Sequence, residues 1–155
     1  RKIPLSELGS LEIQSKPLFL SIFLLAAFLL LEEFYFYVLG IEMPESFIEF
    51  MLAEPILLGF ISVVVVAPII EEFLFRGFLY SQLRRSFLKD WGAVAVSSLV
   101  WTAIHFQYEV GILFFLFLFG LFLGYFRIKY NSLLIPVALH ALNNLIAFIL
   151  TIYFS

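Results

Sequence analysis

The chain alternates between long apolar runs and short polar segments. The apolar runs cover residues 17–39, 55–83, 91–106, 111–126 and 132–154. A helix of about 20 apolar residues crosses the hydrocarbon core of a bilayer. None of the runs has the two-residue alternation that a membrane-spanning strand requires. The pattern therefore predicts an all-α, polytopic transmembrane helix bundle of five to six spans.

Composition supports this class of protein and excludes the chemistry that depends on cysteine. The 155 residues are 63% hydrophobic and only 14% charged, whereas a soluble domain is about one quarter charged. We divide the chain into a polar or interfacial N-terminal segment at residues 1–16 and a transmembrane helical domain at residues 17–155. Cysteine is absent, which excludes disulfides, a thiolate nucleophile and cysteine-based metal sites.

The distribution of basic residues indicates an orientation. With five spans, all but one of them lie in three groups on the same side of the membrane: Arg1, Lys2, Lys16, Arg84, Arg85, Lys89, Arg127 and Lys129. The loops on the other side contain glutamates and neither Lys nor Arg. Because Lys and Arg are enriched in cytoplasmic loops, we expect an integral, multi-pass membrane protein with a cytoplasmic N-terminus.

The second run contains charges in its interior. Glu71, Glu72 and Arg76 follow an uncharged stretch that includes Pro68. Proline removes a helix hydrogen bond, so we expect either one kinked span or a span that ends at Pro68 and is followed by a separate helix. Charges inside a membrane cost about 3 kcal/mol or more each unless they are paired or face water. Glu72 and Arg76 are four residues apart and can pair on one helix face. Glu71 is rotated by about 100° and stays available for chemistry.

Polar residues from three runs are expected to meet in an intramembrane polar cavity. They are Glu71, His105, His140 and Asn144. Counted from the cytoplasmic ends of the runs, their depths all fall between about 14 and 22 Å. His140 and Asn144 are four apart and project from one helix face. Trp101 and His105 have the same spacing, so the indole is expected to orient the imidazole.

This set is suited to hydrolysis, although other interpretations remain open. A carboxylate beside an imidazole can take a proton from water, and imidazole and amide N–H groups can stabilise an oxyanion. No serine lies three or four residues from either histidine, so a covalent serine mechanism is not favoured. The same residues could instead be hydrogen-bonding contacts between helices. In a third interpretation, Glu71, His105 and His140 bind zinc and leave one position for water.

The motifs resemble those of the CPBP family, the CAAX proteases and bacteriocin-processing enzymes, also called the Abi family. This family includes the type II CAAX prenyl endopeptidases. Its pattern is Glu-Glu-x-x-x-Arg, then Phe-x-x-x-His, then His-x-x-x-Asn. The chain has these as Glu71-Glu72 to Arg76, Trp101 to His105, and His140 to Asn144, with Trp101 where phenylalanine is usual. The resemblance covers about residues 54–148.

The resemblance implies an intramembrane endopeptidase of the glutamic type. By motif, Glu71 would be the general base and His105 would help to activate water. His140 and Asn144 would form the oxyanion hole. The supporting residues would be Glu72, Arg76 and Trp101.

The resemblance also sets expectations for cofactors and partners. No cofactor is expected, with zinc as the alternative. The expected partners are membrane lipid and a peptide or protein substrate, and not nucleic acid. The family also contains bacteriocin-immunity proteins and membrane scaffolds, so a non-catalytic role is the alternative function.

Overall fold

The computed structural model describes residues 10–11, 15–42, 44–45, 48–49 and 55–154. These residues form five helices: α1 (Ser15–Leu39), α2 (Ile56–Leu83), α3 (Lys89–Ala103), α4 (Val110–Tyr130) and α5 (Leu134–Phe154). Within the described ranges the chain has no β-strand, only an isolated bridge between Ser10 and Ser132. The predicted all-α helix bundle is confirmed. Most of the predicted N-terminal segment, residues 1–16, lies outside the described residues.

Four of these helices are long and apolar enough to cross a membrane, namely α1, α2, α4 and α5. The exception is α3, which has 15 residues and is therefore about 22 Å long. It ends before the predicted limit at Phe106, because the chain turns after Ala103 and the His105 amide donates to the Thr102 carbonyl at 3.0 Å. The count of five to six spans stays a prediction.

Helix α2 continues through Pro68 without a break. Two stretches of it, Ile61–Val66 and Phe73–Leu79, have the wider turns of a π-helix. Proline lacks the amide that an α-helical turn needs, and a wide turn is one way for a helix to accommodate an irregularity. Of the two alternatives, the separate helix after Pro68 is therefore wrong, and the residues on both sides of Pro68 belong to one helix. The charged residues lie on the same continuous helix as the preceding apolar run.

Helices α3 and α4 form a tightly packed hairpin. Gly120 on α4 faces Ser98 on α3, and a Cβ built at Gly120 would lie 2.8 Å from the Cβ of Ser98. One turn later, a Cβ built at Gly124 would overlap Val94. The two glycines thus allow the helix backbones to approach closely, as small residues do in membrane bundles.

Helix α1 covers the other side of α4. Leu25 is buried in the main core cluster, and the Phe28 ring lies 5.1 to 5.7 Å from the rings of Phe115, Phe119 and Phe122. Large apolar side chains cover the outer surface; Phe19, for example, is 73% exposed. Such a surface is expected where the surroundings are lipid. The bundle therefore encloses its polar residues among α2, α3, α4 and α5.

Candidate active site

The Glu72–Arg76 ion pair lies at the centre of the bundle. Both side chains are at most 1% exposed, and Arg76 Nη1 donates to Glu72 Oε1 at 2.9 Å. This confirms the pair predicted from the four-residue spacing. Arg76 Nη2 also donates to the Gly120 carbonyl at 3.1 Å. The guanidinium therefore connects α2 to α4.

The wide turn Phe73–Leu79 is supported from α4 by a second buried arginine. Arg127 is 1% exposed, and its Nε donates to the backbone carbonyl of Arg76 at 3.1 Å. Its guanidinium also donates to Asn131 Oδ1 at 2.8 Å and lies 5.2 Å from the centre of the Tyr80 ring. Sequence reasoning placed Arg127 among the cytoplasmic charges and missed this contact. Its position at the end of an apolar helix gave no signal of burial.

His140 on α5 lies between the two carboxylates of α2. Its Nδ1 is 2.9 Å from Glu72 Oε1, and its Nε2 is 3.9 Å from Glu71 Oε2. Because an ionised carboxylate only accepts hydrogen bonds, Nδ1 carries a hydrogen and donates to Glu72. Nε2 is then directed toward Glu71. The orientation of the imidazole is thus fixed by Glu72.

Trp101 on α3 binds the other carboxylate directly. Its Nε1–H donates to Glu71 Oε2 at 2.6 Å. The indole ring also meets the His105 ring edge-on, with centroids 5.0 Å apart, which confirms the predicted packing of the two side chains. The contact with Glu71 was not foreseen, because it depends on how α2 and α3 are positioned relative to each other.

His105 lies in the turn that follows α3. Its Nδ1 is 2.9 Å from the carbonyl oxygen of Trp101, which can only accept, so Nδ1 carries a hydrogen. In the neutral ring, Nε2 is therefore an acceptor. Tyr108 stacks on the imidazole at 6.1 Å between ring centroids. The histidine thus presents a basic nitrogen beside the Trp101 indole.

Asn144 lies one turn beyond His140 on α5. Its Nδ2 donates to the backbone carbonyl of Val63 at 2.9 Å, within the wide turn Ile61–Val66 of α2. The structure brings Glu71, Trp101 and His140 into contact and places the His105 ring edge-on to the indole. Asn144 is instead engaged with the α2 backbone, and one of its two amide hydrogens is not used by this bond.

Among the residues that the structure describes, no group of three His, Asp or Glu side chains is arranged to hold a metal ion. The zinc alternative named Glu71, His105 and His140. In this arrangement His105 Nδ1 bonds to a backbone carbonyl and His140 Nδ1 bonds to Glu72.

An apolar groove opens between α2 and α5. Its volume is about 320 Å³. The groove is lined by Val64, Val65, Ile69, Val137, Ala141, Leu142 and Leu145. Ile69 is two residues before Glu71, and Ala141 directly follows His140. An apolar chain lying in the groove would therefore run along the two helices that carry Glu71 and His140.

Comparison with known proteins gives one family and one relative. The family model described as type II CAAX prenyl endopeptidase Rce1-like matches residues 53–146, more than half of the chain. An uncharacterized 24.3 kDa protein of Escherichia coli is 36% identical over 87 residues, which are 55% of this chain and 40% of that protein. The alignment thus spans less than half of that relative. No solved structure matches.

Proposed function

Since the chain belongs to the Rce1-like family of type II CAAX prenyl endopeptidases, we propose that it hydrolyses a peptide bond within the membrane, with Glu71 as the general base. One observation carries this proposal: the two adjacent carboxylates have different surroundings. Glu72 is fully buried and bonds to both Arg76 and His140. Glu71 is 22% exposed and bonds to a neutral indole. Glu72 is thus suited to a structural role and Glu71 to proton transfer.

The catalytic water would lie between Glu71 and His105. Trp101 donates its hydrogen bond to Oε2 of Glu71. The other oxygen, Oε1, accepts no hydrogen bond from the described residues. His105 presents Nε2 as an acceptor from its position next to the indole. In the proposed step, the water oxygen attacks the scissile carbonyl carbon while Glu71 takes one water proton. The same proton then passes to the leaving amine when the C–N bond breaks.

His140 is proposed to stabilise the oxyanion that this attack produces. Its Nδ1–H is held by Glu72, so protonation of the ring gives an Nε2–H directed toward the Glu71 side of the cluster. The second amide hydrogen of Asn144 is proposed as the other donor. Donors fixed in a dry site before the reaction are the usual source of a large rate enhancement.

The apolar groove suggests the class of substrate. It offers hydrocarbon contacts along α2 and α5, the helices that carry Glu71 and His140. We propose a peptide whose scissile bond is flanked by apolar side chains or by an attached hydrocarbon chain, as in a prenylated protein. This substrate would bury its apolar part in the groove and place its peptide carbonyl beside His140.

The function is tested by comparing protein termini in cells that express the wild type or Glu71→Gln. We expect at least one membrane-protein terminus to appear with the wild type and to disappear with Glu71→Gln. Glu33→Gln is the matched control, because Glu33 belongs to the other Glu-Glu pair of the chain, on α1, and should leave that terminus unchanged. Identical termini in all three samples would contradict the proposal and favour the non-catalytic alternative.

A further inference from the structure

Trp101 is buried at the point where the polar cluster meets the core. It is 1% exposed, and its indole contacts four groups of the cluster: the Glu71 carboxylate, the Arg76 guanidinium, and the rings of His105 and His140. The Arg76 guanidinium lies over the flat face of the indole, with its Cζ atom 4.9 Å from the ring centroid. The N–H at the edge of the indole donates to the Glu71 carboxylate. One rigid side chain therefore connects the ion pair to the proposed base.

The hydrogen bond to Glu71 has the features of a strong contact. The Nε1 to Oε2 distance is 2.6 Å, which is shorter than an ordinary N–H···O bond, as expected when the acceptor is ionised. Indole is a donor only and has one N–H, so this donor has no other use at the site. Because the ring is packed on several sides, the direction of the N–H is fixed before any substrate binds.

The contact also distinguishes the two oxygens of Glu71. Oε2 takes the indole N–H and lies 3.9 Å from His140 Nε2. Oε1 takes no hydrogen bond from the part of the chain that the structure describes. We infer that Trp101 is a positioning residue for the base: its indole N–H holds Oε2, fixes the plane of the carboxylate and leaves Oε1 to accept the water proton. This inference rests on the proposed function of Glu71.

Trp101→Phe is the variant that tests this role. Phenylalanine keeps an aromatic ring and removes the N–H. Because the inferred role of the indole is to hold the base, kcat should fall about tenfold while KM stays within about twofold, which corresponds to the loss of one hydrogen bond to a charged group. Trp91→Phe is the matched control. Trp91 is 61% exposed and stacks on Tyr125, so its variant should have wild-type kinetics.

The kinetic substrate is a fluorogenic peptide that spans the cleavage site identified from the protein termini. An unchanged kcat in Trp101→Phe would overturn the inference and leave the function of Glu71 intact. A rise in KM at constant kcat would also overturn it, because the ring would then serve substrate binding. If no terminus depends on Glu71, both the function and the positioning role are contradicted.

A second readout does not require activity or a Trp101 variant. The chain has two tryptophans, so a ¹⁵N-labelled sample in detergent gives two indole N–H signals, and Trp91→Phe assigns them. We expect the Trp101 proton to resonate downfield of the Trp91 proton, as a strongly hydrogen-bonded proton does. It should move upfield in Glu71→Gln and remain in place in Glu33→Gln. If the Trp101 signal does not move in Glu71→Gln, the hydrogen bond between Trp101 and Glu71 is refuted, whatever the enzyme assay shows.

Discussion

Replacing Glu72 with glutamine separates charge from shape at the centre of the bundle. Glutamine keeps the length of the side chain and a carbonyl oxygen that can still accept from Arg76. It removes the negative charge that faces both Arg76 and His140 at 2.9 Å. Arg76 is 1% exposed, and its Nε has no hydrogen-bond partner among the described residues. The substitution therefore leaves a buried cation with no counter-ion at bonding distance.

The magnitude follows from comparing two effects. Weakening a hydrogen bond between membrane helices costs about 0.6 kcal/mol on average and at most about 1.7 kcal/mol. Leaving a buried charge without its partner costs about 3 to 5 kcal/mol. Arg76 keeps its bond to the Gly120 carbonyl and its contact with the Trp101 ring, which favours the lower end of that range. We expect a loss of about 3 kcal/mol in the free energy of unfolding.

The assay is reversible unfolding of the purified protein from mild detergent micelles by titration with sodium dodecyl sulfate, followed by tryptophan fluorescence. Glu71→Gln is the matched control, because it makes the same change at the next residue and keeps an acceptor for the neutral Trp101 N–H; it should lose less than about 1.7 kcal/mol. The double variant Glu72→Gln, Arg76→Met should recover part of the loss by removing the stranded charge. A loss below about 1 kcal/mol in Glu72→Gln would refute the reasoning.

Four further predictions concern packing, substrate, cofactor and orientation. Gly120→Ala places a methyl group 2.8 Å from the Cβ of Ser98 and should destabilise the protein by about 1 to 3 kcal/mol; Gly77→Ala, whose nearest neighbour is a flexible leucine at 3.4 Å, should cost less in the same titration. Ala141→Phe fills part of the apolar groove and should raise KM with little change in unfolding. Cleavage by the purified enzyme should survive chelation with EDTA, and a loss restored by zinc would favour the metal alternative. Glu45 lies in the loop between the first and second apolar runs, which is predicted to be outside the cell. A cysteine placed there should react with an impermeant maleimide from outside intact cells; labelling only from the cytoplasmic side would reverse the proposed orientation.

Much of the architecture could be predicted from hydrophobic pattern alone. The limits of α1 and α2 agree with the apolar runs to within two residues, because a helix in a membrane must satisfy its backbone internally and so extends through the whole run. The end of α3 could not be predicted in this way. The chain there is still apolar, and the turn at His105 depends on the tight hairpin that α3 forms with α4.

The candidate site was partly predictable for a related reason. The Glu72–Arg76 pair follows from spacing on one helix, which sequence reveals directly. The bonds from His140 to Glu72 and from Trp101 to Glu71 join different helices. They depend on helix rotation and on the wide turns of α2, and neither is encoded in a local motif. The burial of Arg127 was missed for the same reason.

The division of labour between the two carboxylates is the central claim, and Glu71→Gln tests it most directly. The purified variant and the wild type would be compared for cleavage of the fluorogenic peptide and for unfolding in the same detergent. We expect Glu71→Gln to abolish detectable turnover and to retain a free energy of unfolding within about 1.7 kcal/mol of the wild type. Near-normal turnover by a folded Glu71→Gln protein would contradict the assignment of Glu71 as the base.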